Sequence, residues 1–105
     1  MTDQIEKPDQ ALLKEFFAVL TTTEAERLKA LIPYLDEDSR VHKTMLEFQE
    51  IWGKSESTVR RVLLFIQAKK IAGEKPLKFM RILETDEYII EFSDPVLKVL
   101  YFLSE

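Results

Sequence analysis

Apolar residues recur at helical spacing over the first two thirds of the chain and change to a strand-like pattern near residue 77. Pro8 and Asp9 supply a stop and a helix cap ahead of Leu12, Leu13, Phe16, Phe17 and Leu20, which predicts a first amphipathic helix after a loose tail at residues 1–8. Thr23 and Glu26 have the T-x-x-E spacing of a capping box, in which hydroxyl and carboxylate satisfy the free amides of a helix start. The helix predicted there carries Ala25, Leu28, Leu31, Ile32 and Leu35 on one face, and Pro33 is expected to kink or end it.

Beyond the acidic run Asp36-Glu37-Asp38, the residues Arg40-Val41-His42 predict a short extended segment. Thr44 and Glu47 then form another T-x-x-E box, opening a third helix on Met45, Phe48, Ile51 and Trp52, with Gly53 placed to close it in the left-handed conformation. Ser55 or Ser57 caps the fourth helix, which turns Val59, Val62, Leu63 and Ile66 inward and Ser57, Arg61 and Leu64 outward, and is expected to run to Lys69 or Lys70. Gly73 and Pro76 break the chain before two apolar runs, 77–83 and 88–92, that flank the polar Glu84-Thr85-Asp86-Glu87 as strands flank a hairpin loop.

Ser93, Asp94 and Pro95 start a last helix over about 95–104 that is apolar nearly all round. Its surplus of apolar residues over one buried stripe predicts a homodimer through the first and last helices, with Phe16, Phe17, Leu97, Leu100 and Tyr101 at the interface. Phe16, Phe17 and Trp52 also fit a second role as core fillers, because aromatic residues at helical spacing usually occupy space in the interior.

A chain of 105 residues has room for one domain and one modest core, here expected over residues 9–105. The net charge of −4 conceals an uneven distribution: residues 40–81 hold ten basic and four acidic residues, a balance of +6, and the rest of the chain carries −10. Such a block between acidic ends suits a protein that turns one face toward phosphates. It also suits, less well, a lysine-rich stretch that is merely solvated.

There is no cysteine, hence no disulfide, thiolate zinc site or cysteine nucleophile. The polar, acidic start lacks the basic and apolar regions of a secretory signal, and the expected location is the cytoplasm, away from membranes. The scattered serines, the single histidine His42 and the surface carboxylates form no triad or ligand pattern, and two glycines cannot make a phosphate-cradling loop. The sequence therefore predicts a protein that is not an enzyme and takes no cofactor or metal.

The stretch Trp52-Gly53-Lys54-Ser55-Glu56-Ser57-Thr58-Val59-Arg60-Arg61-Val62-Leu63 resembles the turn and recognition helix of GntR- and MarR-type bacterial regulators. The order of elements resembles the winged helix-turn-helix, a mainly α single domain with a β-hairpin. The resemblance implies a helix-turn-helix over about 44–70, a wing over about 75–93 and binding of double-stranded DNA. It is close over about twenty residues and elsewhere rests on element order. Lys54 stands where the family usually has an aliphatic residue, and Gln49 where a small residue is common.

The candidate DNA contacts are Lys43, Thr44, Lys54, Ser55, Ser57, Thr58, Arg60 and Arg61, with Lys75, Lys78 and Arg81 at the wing root. Arginine reads guanine bidentately and holds a phosphate equally well, so the sequence leaves open which of Arg60 and Arg61 specifies and which positions. Glu84, Asp86 and Glu87 are expected to hold the wing tip away from phosphates. Three roles remain open at this point. One is a dimeric transcriptional regulator. Another is a plasmid or phage partition adaptor that joins centromere repeats to a partition motor protein. The third is a winged helix that binds protein and no DNA.

Overall fold

Side-chain caps start every α-helix, and the helices they start are those the apolar spacing predicts. A computed structural model describes residues 7–105. In it Asp9 caps α1 (Gln10–Val19), Thr21 caps α2 (Thr22–Lys29), Thr44 caps α3 (Met45–Trp52), Ser55 caps α4 (Glu56–Gln67) and Ser93 caps α5 (Asp94–Leu103). Each cap oxygen accepts a hydrogen bond from an amide that the first turn leaves unpaired. The strands are β1 (Arg40–Thr44), β2 (Leu77–Ile82) and β3 (Glu87–Phe92).

Several boundaries differ from the sequence reading. The capping box of α2 is Thr21 with Glu24, two residues ahead of the predicted pair: Thr21 N donates to Glu24 Oε1 at 2.8 Å and Glu24 N to Thr21 Oγ1 at 3.1 Å. Thr21, Thr22 and Thr23 offer competing starts, and the one used also brings Glu24 within 3.6 Å of Lys69 Nζ on a distant part of the chain. After Lys29 the chain passes into a single 3-10 turn, Ile32–Tyr34, that holds Pro33. α4 stops at Gln67, short of the predicted Lys69. Of the tail predicted at 1–8, residues 1–6 lie outside the described residues, Lys7 is exposed and Pro8 is buried, so packing begins at Pro8.

The extended segment predicted at 40–42 is a full strand, and it joins the hairpin in an antiparallel sheet of order β1-β3-β2. Thr44 faces Glu87 and Arg40 faces Glu91, which makes β3 the central strand. The hairpin turn occupies 83–86, with Asp86 at φ 56° donating its amide to Ile82 O, and Glu87 belongs to β3. About half of the chain is helical, and the helices and sheet close over one core as a compact single domain. Among the described residues no helix is long and apolar enough to cross a membrane.

α5 packs against both α1 and α2, and this answers the apolar surplus that predicted a dimer. Leu97 is 9% exposed, and Phe16 and Leu100 are fully buried inside one chain, so these three cannot also face a second subunit. A helix between two others buries more than one stripe. Of the predicted interface only Phe17, 47% exposed, and the half-buried Tyr101 stay accessible. That exposure also removes Phe17 from the core; its ring meets the buried Phe16 edge to face, 5.0 Å between ring centres. Trp52 is half-buried and fixes α3 to α2 by donating Nε1–H to Arg27 O at 2.9 Å.

Gly53 closes α3 at φ 63°, ψ 38°, and the turn to α4 depends on that left-handed step. A Cβ placed there meets nothing within 4 Å, so the cost of Gly53→Ala is conformational. It is expected to be about 1 kcal/mol, read as a lower urea midpoint with an unchanged slope.

Two carboxylates are held below their ordinary pKa by backbone amides: Glu47 chiefly by Thr44 N, and Asp36 chiefly by Arg40 N. A lowered folded-state pKa gives stability that is present above the unfolded value and is lost as pH falls through the folded one. The thermal midpoint should therefore fall on acidification below about pH 4.5, the ordinary value for Glu47. Glu47→Gln keeps the capping acceptor and should make that fall smaller.

Candidate nucleic-acid interface

Helix α4 presents three faces, set by its 3.6-residue period. Val59, Leu63 and Ile66 are fully buried and form the face that seats the helix. Val62 is only partly buried, at the margin of that face. Ser57, Arg61 and Leu64 follow one another one turn apart on the open side, as the sequence predicts, and all three are exposed.

The third face turns toward the hairpin, and it ties α4 to the sheet at two points. Near the helix start, Arg60 pairs with Glu56 at 2.8 Å, lies over the Tyr88 ring at 5.1 Å from its centre, and donates a short hydrogen bond to the Tyr88 hydroxyl. Glu56 and then Tyr88 raise the Arg60 pKa further above its already high ordinary value. Tyr88 is buried and stacked on Phe79 at 5.2 Å, so Arg60 rests on a rigid aromatic pair. Near the helix end, Gln67 Oε1 accepts a hydrogen bond from Phe79 N of the edge strand at 2.6 Å.

The predicted contacts fall into distinct environments. Lys54 and Arg61 are exposed, and neither forms an ion pair or a side-chain hydrogen bond with another described residue. With Ser57 they make an exposed polar line that runs from the turn before α4, at Lys54, to mid-helix, at Arg61. Thr58 is half-buried beside it. The Ser55 and Thr44 hydroxyls are taken up by capping: Ser55 Oγ lies 3.1 Å from Thr58 Oγ1 and 3.3 Å from Ser57 Oγ, and Thr44 Oγ1 is bonded to Glu47. Lys43 lies by Tyr34 and α3, with Nζ 5.3 Å from the Tyr34 ring centre.

The wing residues are arranged differently from the expectation. Arg81 faces Tyr88 one rung below the turn, near the tip and not at the root, where it pairs with Asp86 at 2.7 Å. Glu87 is also partnered, by His42 Nε2 at 3.2 Å. Of the three acids expected to repel phosphate at the tip, Asp86 is therefore matched by a cation and Glu87 has a hydrogen-bond partner. Lys75 and Lys78 do sit at the root, but in an open cleft of about 350 Å³ that also holds Glu74, Glu91 and Asp94. Across the sheet, Glu91 stands between Arg40 and Lys78 in register.

Sequence reasoning gave no role to Tyr88 and Gln67, which take part in the contacts between α4 and the hairpin. Strand alternation marks Tyr88 as an inward position, but nothing local shows that an arginine from another element will lie on it. No family model, curated protein or solved structure matches the chain.

Because Gln67 supplies the acceptor for an edge-strand amide, Gln67→Ala should speed hydrogen exchange at Phe79 at least severalfold. It should cost about 1 kcal/mol, while the exchange of amides on β1 stays close to wild type.

Proposed function

We propose that the protein binds double-stranded DNA as a winged helix-turn-helix, with α3 and α4 as the two helices of the motif and α4 laid in the major groove. The observation that carries this reading is the open line of Lys54, Ser57 and Arg61, from the turn before α4 to mid-helix, on a helix whose other faces are fixed to the core and the hairpin. Side chains near the N-terminus of such a helix are the ones that reach base edges in this docking geometry. The left-handed turn at Gly53 and the hairpin beside α4 support the same reading, as does the resemblance of residues 52–63 to bacterial regulators.

The contacts divide by their surroundings. Arg61, exposed in mid-face, reads bases, and Lys54 and Ser57 hold the backbone. Arg60 braces the hairpin through Tyr88 and supports the helix from behind. Arg81 and Asp86 form an ion pair with 52% and 67% of their side chains exposed, weak enough for a phosphate to replace the acid.

Fluorescence anisotropy with mixed-sequence duplex at low and near-physiological salt tests the proposal. Wild-type affinity should fall linearly on a log scale as salt rises. On a duplex selected for tight binding Arg61→Ala should cost about 1–3 kcal/mol and relax sequence preference, whereas on mixed sequence Lys54→Ala should lower the salt slope by about 1 and Arg60→Ala should act mainly on stability. Absence of duplex binding by folded wild-type protein at low salt overturns the reading.

A further inference from the structure

We propose that the groove between α2 and α4 docks an acidic protein segment that inserts a bulky apolar side chain. The groove has a volume of about 400 Å³ and a largely apolar floor of Val62 and Phe65, with Arg27 and Arg61 at its rim. It is open along its length, which suits a side chain presented by another chain.

Phe65 is 57% exposed and its neighbour Leu64 is 51% exposed, an apolar pair on the surface of a helix whose buried face is already complete. The Phe65 ring does not swing freely. Lys69 Nζ lies 4.4 Å from its centre and is itself anchored by Val19 O at 2.8 Å and by Glu24 at 3.6 Å. An anchor already held in place loses little freedom on docking.

Charge selects the partner. The acid at the groove, Glu24, is spent on Thr21 N and Lys69. Arg27 and Arg61 form no ion pair or side-chain hydrogen bond with a described residue, and the Trp52 bond to Arg27 O fixes the backbone from which Arg27 extends. The rim therefore presents two uncompensated positive charges beside an apolar floor, which complements carboxylates flanking a Leu or Phe. Docking stands independently of DNA binding. One consequence rests on the DNA reading: Arg61 belongs to both surfaces, so an acidic segment in the groove and duplex on α4 exclude each other.

The test uses the full chain without DNA and two fluorescent peptides, one of Asp and Glu interspersed with Leu and Phe, the other with serine in place of each Leu and Phe. The apolar acidic peptide should bind at least about tenfold more tightly than its serine counterpart, and Phe65→Ser and Arg27→Gln should each weaken it about tenfold. Both substitutions lie at surface positions, and circular dichroism checks the fold. Amide shifts on binding should cluster at 21–27 and 61–65. Equal binding of the two peptides, indifference to both substitutions, or shifts elsewhere overturns the proposal. Arg27→Gln should leave duplex binding unchanged, so failure of the docking surface and failure of DNA binding are read separately.

Discussion

The seating of α4 by Val59, Leu63 and Ile66 is the interaction on which the rest of the molecule depends. All three are fully buried, and α4 packs against both α3 and β2, so these side chains join the helical part of the domain to the sheet. Burying each contributes about 1.5–3 kcal/mol, which is large beside the net stability of a domain this size. Once that face is fixed, the period of the helix dictates the others: Ser57, Arg61 and Leu64 must look outward, and Arg60 and Gln67 must look toward the hairpin. The open line, the brace on Tyr88 and the groove beside α2 all follow from one packing decision.

Charge in the folded protein is not the basic block that the sequence displays. Arg40, Arg60, Lys69 and Arg81 each meet a carboxylate, and Lys75 and Lys78 share their cleft with three more. Lys54, Arg61 and Arg27, on and beside the exposed side of α4, are among the basic residues that pair with no carboxylate of the described chain, as are Lys14, Lys43 and Lys70. Exposed ion pairs of this kind are worth less than about 1 kcal/mol. The Arg60 and Arg81 pairs lie at the helix start and the hairpin tip.

The apolar surface is redistributed in a similar way. α5 looks like a dimer helix in sequence, and it becomes an interior helix because α1 and α2 both lean on it. On α4 the exposed apolar residues are Leu64, which the sequence reading turns outward, and Phe65, to which it gives no place. DNA offers such residues little beyond a thymine methyl, and a protein partner offers them burial. One helix thus presents a polar start and an apolar middle, meeting at Arg61.

Much of the fold was legible in the chain because the signals are local. A capping box at Thr44 and Glu47, a left-handed glycine at position 53, a serine cap at Ser55 or Ser57, of which the fold uses Ser55, a proline in the first turn of α5 and the apolar period of α4 each act within a few residues of themselves. With the Asp9 cap, the threonine run ahead of α2 and the strand-like runs flanking 84–87, such signals determined the number and order of the α-helices and the presence of a hairpin. Tertiary structure decided whatever required two distant segments to meet. The start of α2 at Thr21 is tied to Lys69, the third strand exists because Arg40–Thr44 finds β3, and Arg60 and Arg81 are partnered by residues on other turns or strands. Local sequence fixes how a backbone satisfies its own amides, whereas burial and the pairing of charges depend on which surfaces the packed core brings together.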